Sequence, residues 1–243
     1  MDAVLLQRLS QITEEERELL QGRGVDRALY ASGRAFEVDA AKMLEKGKLM
    51  SIRPHTRFAP FPRHSHNYVE IMYMCRGKTV HRIDGDALVT LEAGELLFLN
   101  RHASHAIQRA DAGDIAVNFI VLPQFFDEAF NMAGMDNVLS RFLLGELYTG
   151  GAAVSYLHFR VREVLPVQNL VENMVWTLVN RQPGARRINQ VTMGLLLLQL
   201  MHYTECIDMS RNGSVRSPMV EAALREIEEN YRAASLTDVA AAF

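Results

Sequence analysis

Arg63-His64-Ser65-His66-Asn67-Tyr68-Val69-Glu70 is the stretch on which the reading of the fold turns. In extended backbone the side chains alternate, so His64, His66 and Glu70 fall on one face, and Tyr68, Met72 and Met74 continue it. From here the chain divides into short β-rich runs at 68–76, 78–84, 86–92, 95–100 and 115–122. Gly77, Asp84-Gly85, Ala93-Gly94 and Asp111-Ala112-Gly113-Asp114 separate them. Closely spaced strands with an Asp-Gly hairpin signal predict an antiparallel sandwich or barrel. Two imidazoles and a carboxylate on one face suit a divalent ion such as iron, manganese or zinc. They suit equally a polar wall that hydrogen-bonds the hydroxyls of a small ligand, with Tyr68, Met72 and Met74 as the apolar part of the pocket.

Outward from this region the texture is helical. Residues 1–47 read as a helical extension, with Thr13 as an N-cap before Glu14-Glu15-Glu16 and Gly22-Arg23-Gly24 as a stop. The three glutamates are expected on a solvated face, as are Glu226 to Glu229. After Pro123 the pattern turns helical and stays so to residue 209. Leu165, Leu170, Val171, Met174, Val175, Leu178 and Val179 form one stripe over 164–181, ended by Gln182-Pro183-Gly184. A second helix is expected over 187–209, apolar nearly all round through Leu195-Leu196-Leu197-Leu198, so it needs a further partner: intrachain burial or a homodimer through Leu195, Leu198, Met201 and His202. Residues 210–216 are polar and read as a linker. Ser217-Pro218 opens another helix, and Ser235-Leu236-Thr237-Asp238 resembles a capping box for a helix that is cut off at Phe243.

Composition narrows the class. Of 243 residues, 49% are hydrophobic and 23% charged, as in ordinary globular proteins. Lys+Arg 26 against Asp+Glu 29 gives a net charge of -3, without the basic excess of a protein that coats nucleic acid. Cys75 and Cys206 lie far apart, which argues against a disulfide framework or a thiolate zinc cluster and for a reducing compartment. With no secretory signal pattern and no bilayer-length apolar run, a cytoplasmic location away from membranes is expected. Among the remaining histidines, His81 lies on a β run whose register decides its face. His55, His158 and His202 read as surface or helix-packing residues, and Arg101, His102 and His105 as a loop near the barrel mouth.

His64-x-His66, three residues, Glu70, six residues and Gly77 resemble the first cupin motif, with Phe58 where that motif begins with glycine. In the second motif Gly94 takes the place of the turn glycine, and Leu97 stands where metal-binding cupins carry a further ligand. His102 and His105 substitute for it only if the strand bends them inward. The order His66-Asn67-Tyr68-Val69-Glu70-Ile71, Gly77, Asp84-Gly85 and Ala93-Gly94-Glu95-Leu96-Leu97-Phe98-Leu99-Asn100 resembles the sugar-sensing domain of AraC-type transcriptional regulators. Val220 to Tyr231 and Ser235 to Ala240 resemble the start of that family's helix-turn-helix domain.

The resemblance implies an α+β fold. A cupin-like antiparallel barrel (double-stranded β-helix) spans 48–122, a helical dimerisation segment 123–209 and an incomplete helix-turn-helix 217–243. It implies a non-enzymatic sensor that holds a carbohydrate effector at His64, His66, Tyr68, Glu70, His81 and His105. A divalent metal at His64, His66 and Glu70 is a further candidate, with no other cofactor expected. The partners expected are a second copy of the chain and, through a full-length protein, promoter DNA. The recognition helix is placed after Phe243, so the chain reads as a fragment that does not itself bind DNA specifically. The alternative is a metal-dependent cupin isomerase or dioxygenase built on the same three residues.

Overall fold

The computed structural model describes residues 1–149, 152–203 and 206–209, so the linker and helix-turn-helix readings lie outside the described residues. Helix α1 (Ala3–Leu9) is capped by Asp2, and helix α2 (Glu14–Leu20) by a box in which Thr13 and Glu16 satisfy each other's backbone N–H. Strand β1 (Glu37–Val38) and helix α3 (Ala40–Met43) follow. Eight strands come next: β2 (Met50–Pro54), β3 (Phe61–His66), β4 (Val69–Arg76), β5 (Lys78–Ile83), β6 (Ala87–Glu92), β7 (Leu96–Leu99), β8 (Ser104–Ile107) and β9 (Ile115–Val121).

Two sheets result. The first has the order β1-β3-β8-β5-β6. The second runs from the strand Ile207–Met209 through the strand Tyr156–Phe159 to β7, β4, β9 and β2. Pairing is antiparallel throughout both, except that β1 joins β3 in parallel.

The first sheet alternates cleanly: Thr79, His81 and Ile83 of β5 and Val89 and Leu91 of β6 are buried, while Lys78, Arg82 and Leu88 are exposed. The second is covered on both faces. Met72, Met74, Leu97, Leu99 and Ala116 pack with Ile83, Val89 and Leu91 between the sheets. Val69, Ile71, Tyr73, Phe98, Val117 and Phe119 point the other way, into the main core with the helices. Those helices are α1, α4 (Asp127–Ala133), α5 (Val138–Leu144), α6 (Leu165–Val179) and α7 (Ala185–Met201).

Four expectations are corrected. Residues 1–47 are not purely helical, because β1 adds an edge to the first sheet. The region after Pro123 is not helical throughout: Tyr156–Phe159 and Ile207–Met209 complete the second sheet, and α7 therefore ends at Met201 instead of residue 209. Residues 63–70 are not one strand but two in different sheets; the side-chain amide of Asn67 holds the corner by bonding Ala40 N at 2.9 Å and Asp39 at 3.1 Å. Nor is Glu16 solvated. It is 1% exposed and receives two bonds from Arg57, at 2.6 and 2.8 Å.

Arg57 also donates to the carbonyls of Ser10, Gln11 and Ala112, so it ties the N-terminal helices to the loop after β2. The next residue, Phe58, has φ +72°, a left-handed backbone that glycine adopts without strain and a phenylalanine does not. The structure thus keeps the turn for which the resembling motif uses glycine. Burial of the Arg57–Glu16 pair sets the first prediction. Glu16→Ala leaves a buried guanidinium without its carboxylate and should cost about 3–5 kcal/mol in a urea melt; a loss below about 1 kcal/mol, the scale of an exposed pair, would contradict the assignment.

Candidate functional site

The two sheets bring imidazoles together from strands remote in sequence. In the β3–β8 register His64 sits directly opposite His105, and their ring centroids are 4.2 Å apart. His66, two residues along the same face, lies 5.3 Å from the His105 ring. His81 on β5 stacks on His105 at 5.8 Å, and His55, just past the end of β2, is 5.6 Å from His81. From the opposite sheet β4 supplies Glu70, whose Oε2 stands 3.4 Å from Nε2 of both His66 and His105. Asn118 of β9 donates to Glu70 Oε1 at 2.9 Å and meets His55 Nδ1 at 3.1 Å through its own Oδ1. All five imidazoles, like Glu70, are buried.

Beside this cluster a cavity of about 40 Å³ is walled by Tyr30, Arg53, His55, His64, Tyr68, Glu70 and Asn118, with Val38, Met43, Phe61, Ile107 and Ile120 as its apolar surface. That is room for a few waters at the ~10–15 Å³ each requires, well short of the ~300 Å³ of a typical small-molecule site. A larger occupant has to displace a wall. The N-terminal segment, through Tyr30, Val38 and Met43, supplies part of it.

Desolvation dominates the electrostatics. Burial pushes His64 down to about 4 and His81 down to about 3, and lowers His55 and His105 as well, so these four rings are neutral at pH 7. Burial alone would raise Glu70, but His66, 3.4 Å away, and the surrounding imidazoles outweigh it and bring the carboxyl down to about 2. Burial, followed by the Glu70 charge, holds the Tyr68 phenol well above its ordinary range. Glu70 is thus a carboxylate facing the neutral rings of His55, His64, His81 and His105.

Every residue expected at the site by sequence reasoning is interior. His64, Tyr68 and Glu70 line the cavity, and His66, His81 and His105 lie behind it with no solvent exposure. His105 is the main correction: it is not in a solvated loop but on β8, facing inward. Leu97 belongs to the apolar interior and plays no part in the site. His55 and His158 are likewise not surface residues; His158 bonds the buried Glu95 at 2.9 Å, away from the cavity, while His55 is a cavity wall. His55, Asn118, Tyr30 and Arg53 are the residues that the sequence reading omits. The alternation Ser51, Arg53, His55 could have shown His55, but Pro54 disguises the strand.

The donor set fits a divalent ion. One ligand atom from each of His64, His66 and His105 lies within 4.8 Å of the others. Both ring nitrogens of His66 and His105 and the Oε2 of Glu70 are buried without a hydrogen-bond partner. Besides His64, His66 and Glu70, the set expected from the sequence, His105 converges on the same point, with Glu70 Oε2 3.4 Å from Nε2 of both His66 and His105.

Residues 51–130 match the family model described as AraC-like ligand binding domain. This segment contains all five clustered histidines, Glu70 and Asn118. No curated protein matches the sequence. Among solved structures, an apo variant of ToxT from Vibrio cholerae is similar at 10% identity, over 81% of this chain and 70% of that one, with a TM-score of 0.48. The AraC-like transcriptional activator CuxR is similar at 12% identity, over 70% of this chain and 53% of that one, with a TM-score of 0.33. The DMSP lyase DddQ from Ruegeria pomeroyi DSS-3 is similar at 20% identity, over 29% of this chain and 36% of that one, with a TM-score of 0.26.

The neutral imidazoles make stability depend on pH. Their pKa values are lower folded than unfolded, so their stabilisation is complete above the unfolded value of about 6.5 and is lost as pH falls toward about 4 for His64 and about 3 for His81. At about pH 5 the loss from His64 alone is on the order of 2 kcal/mol. Urea melts in a chelator at about pH 7.5 and pH 5 should show this decline, with a shallower slope in His81→Leu; a pH-independent midpoint over that range would contradict it.

Proposed function

We propose that this chain is the effector-sensing and dimerising part of a ligand-responsive transcription regulator that acts in the cytoplasm. The observation that carries the reading is the buried histidine and carboxylate cluster against a cavity, inside the segment that matches the AraC-like ligand binding domain. Partner-free nitrogens and a desolvated carboxylate are costly in a core and add no packing, so their retention points to a ligand. His64, His66, Tyr68, Glu70, His81 and His105 are the proposed binding residues. A carbohydrate effector has hydroxyls to donate to them, and its size requires the N-terminal wall to move outward. By linkage, occupancy alters DNA affinity only as far as the effector binds one arrangement of the protein better than the other.

The self-association surface is proposed on α7. Its buried face, Met193, Gly194, Leu196, Leu197 and Leu200, packs into the main core, whereas Leu195 and His202 are exposed and Leu198 and Met201 half-buried. Leu195→Glu with Leu198→Glu should convert a dimer to a monomer in sedimentation velocity without loss of fold. Wild-type protein that sediments as a monomer would remove this surface from the proposal.

A second reading has its own support in the His64, His66, His105 trio. A divalent ion there would supply a Lewis acid, as in a metal-dependent cupin enzyme. The two readings separate experimentally. Promoter binding by a chain with a complete helix-turn-helix should change at least about tenfold with effector; stoichiometric iron or manganese in purified protein together with turnover would replace the sensor by the enzyme.

A further inference from the structure

His55 lies outside the histidine trio that fits a metal and outside the residues that sequence reasoning assigned to the ligand. Its surroundings determine where its proton sits. The Asn118 amide turns its N–H toward Glu70 Oε1, to which it donates at 2.9 Å. The amide oxygen of Asn118 is thereby directed at His55 Nδ1, 3.1 Å away, and that nitrogen must be the donor. The other nitrogen, Nε2, then carries a lone pair; it is buried, lacks a partner and belongs to a residue of the cavity wall.

The same logic applies to His64, whose Nδ1 donates to the Pro62 carbonyl at 3.0 Å and leaves Nε2 as an acceptor. His55 Nε2 and Glu70 are thus acceptors on a wall that also carries the hydroxyls of Tyr68 and Thr56. Its one guanidinium, Arg53, is already engaged with Glu15, Met43 and the Tyr30 ring.

We infer that His55 is an effector-recognition residue, held by Asn118 in the tautomer whose Nε2 accepts a hydrogen bond, and that it selects hydroxyl-bearing occupants over carboxylates. A carboxylate placed at His55 Nε2 would meet that lone pair and the Glu70 charge, and the cationic side chain of the described wall, Arg53, is turned to Glu15. A diol has one O–H to donate to His55 Nε2 and a second for Glu70 Oε2, both of which lack a partner. This inference rests on reading the cavity as the effector site, and it names the chemistry that the site accepts.

The test uses a matched pair of probes, ethylene glycol and glycolate, which differ by a hydroxymethyl group against a carboxylate. Long-range 1H–15N NMR of the labelled chain reads both imidazole nitrogens of His55 directly. The expected result is an unprotonated Nε2 that shifts on addition of ethylene glycol and not on addition of glycolate. His55→Phe should weaken the glycol by about five- to tenfold, the worth of one hydrogen bond. His55→Gln, which keeps an acceptor at similar reach, should stay within about twofold of wild type. A protonated Nε2, equal response to glycolate, no response to either probe, or unchanged affinity in a folded His55→Phe each overturns the assignment. The tautomer and the probe response in wild type decide the matter even if a variant does not fold. The readout does not involve DNA, so absent promoter regulation would reject the regulator reading and leave the His55 result standing.

Discussion

The pairing of β3 with β8 is the constraint from which the site follows. It sets His64 against His105 across the ladder, and the pleat then carries His66 and, from the next strand, His81 to the same interior face. A shift of one residue would turn these imidazoles outward and bring polar neighbours such as Ser65 and Ser104 in. Apolar pairs elsewhere in the first sheet resist that shift: Phe61 opposite Ile107, and Ile83 opposite Ala87 where β5 pairs with β6. The energy that places the polar cluster therefore comes from the hydrophobic ladder around it.

The two faces of the second sheet divide structure from function. Its outer face packs Val69, Ile71, Tyr73 and Phe98 against the helices, while its inner face gives Glu70 and Asn118 to the cluster and Met72, Met74 and Leu97 to the apolar interior. β4 alternates between these tasks residue by residue. A single strand thus anchors the helical layer and positions the carboxylate. The N-terminal segment has a comparable double role, because Tyr30, Val38 and Met43 wall the cavity while Glu16 is clamped by Arg57.

Much of this was legible in the sequence, because period-two alternation and Gly or Asp-Gly breaks are local signals. They located β4 to β7 and β9 to within a residue or two, and α6 by its stripe. The face shared by His64, His66 and Glu70 was also legible, though the corner at Asn67 puts them on two sheets. What was not legible depends on pairing between distant strands. His105 looked like a loop residue because β8 is four residues long, and only its register with β3 shows the side chain pointing inward. His158 and Glu16 read as surface groups because their partners, Glu95 and Arg57, are distant in sequence. The strand Tyr156–Phe159 was hidden for the same reason: four residues suffice for a ladder but not for a periodic pattern.

The central claim is that the buried imidazole cluster is where this domain takes up its effector. The most direct measurement is a thermal-shift comparison of wild type with His66→Ala/His105→Ala, across neutral polyols and divalent ions. The account predicts that at least one of them raises the Tm of wild type and that this shift is abolished in the double variant. A stabilising compound that raises both proteins equally would place the binding site elsewhere and contradict the account.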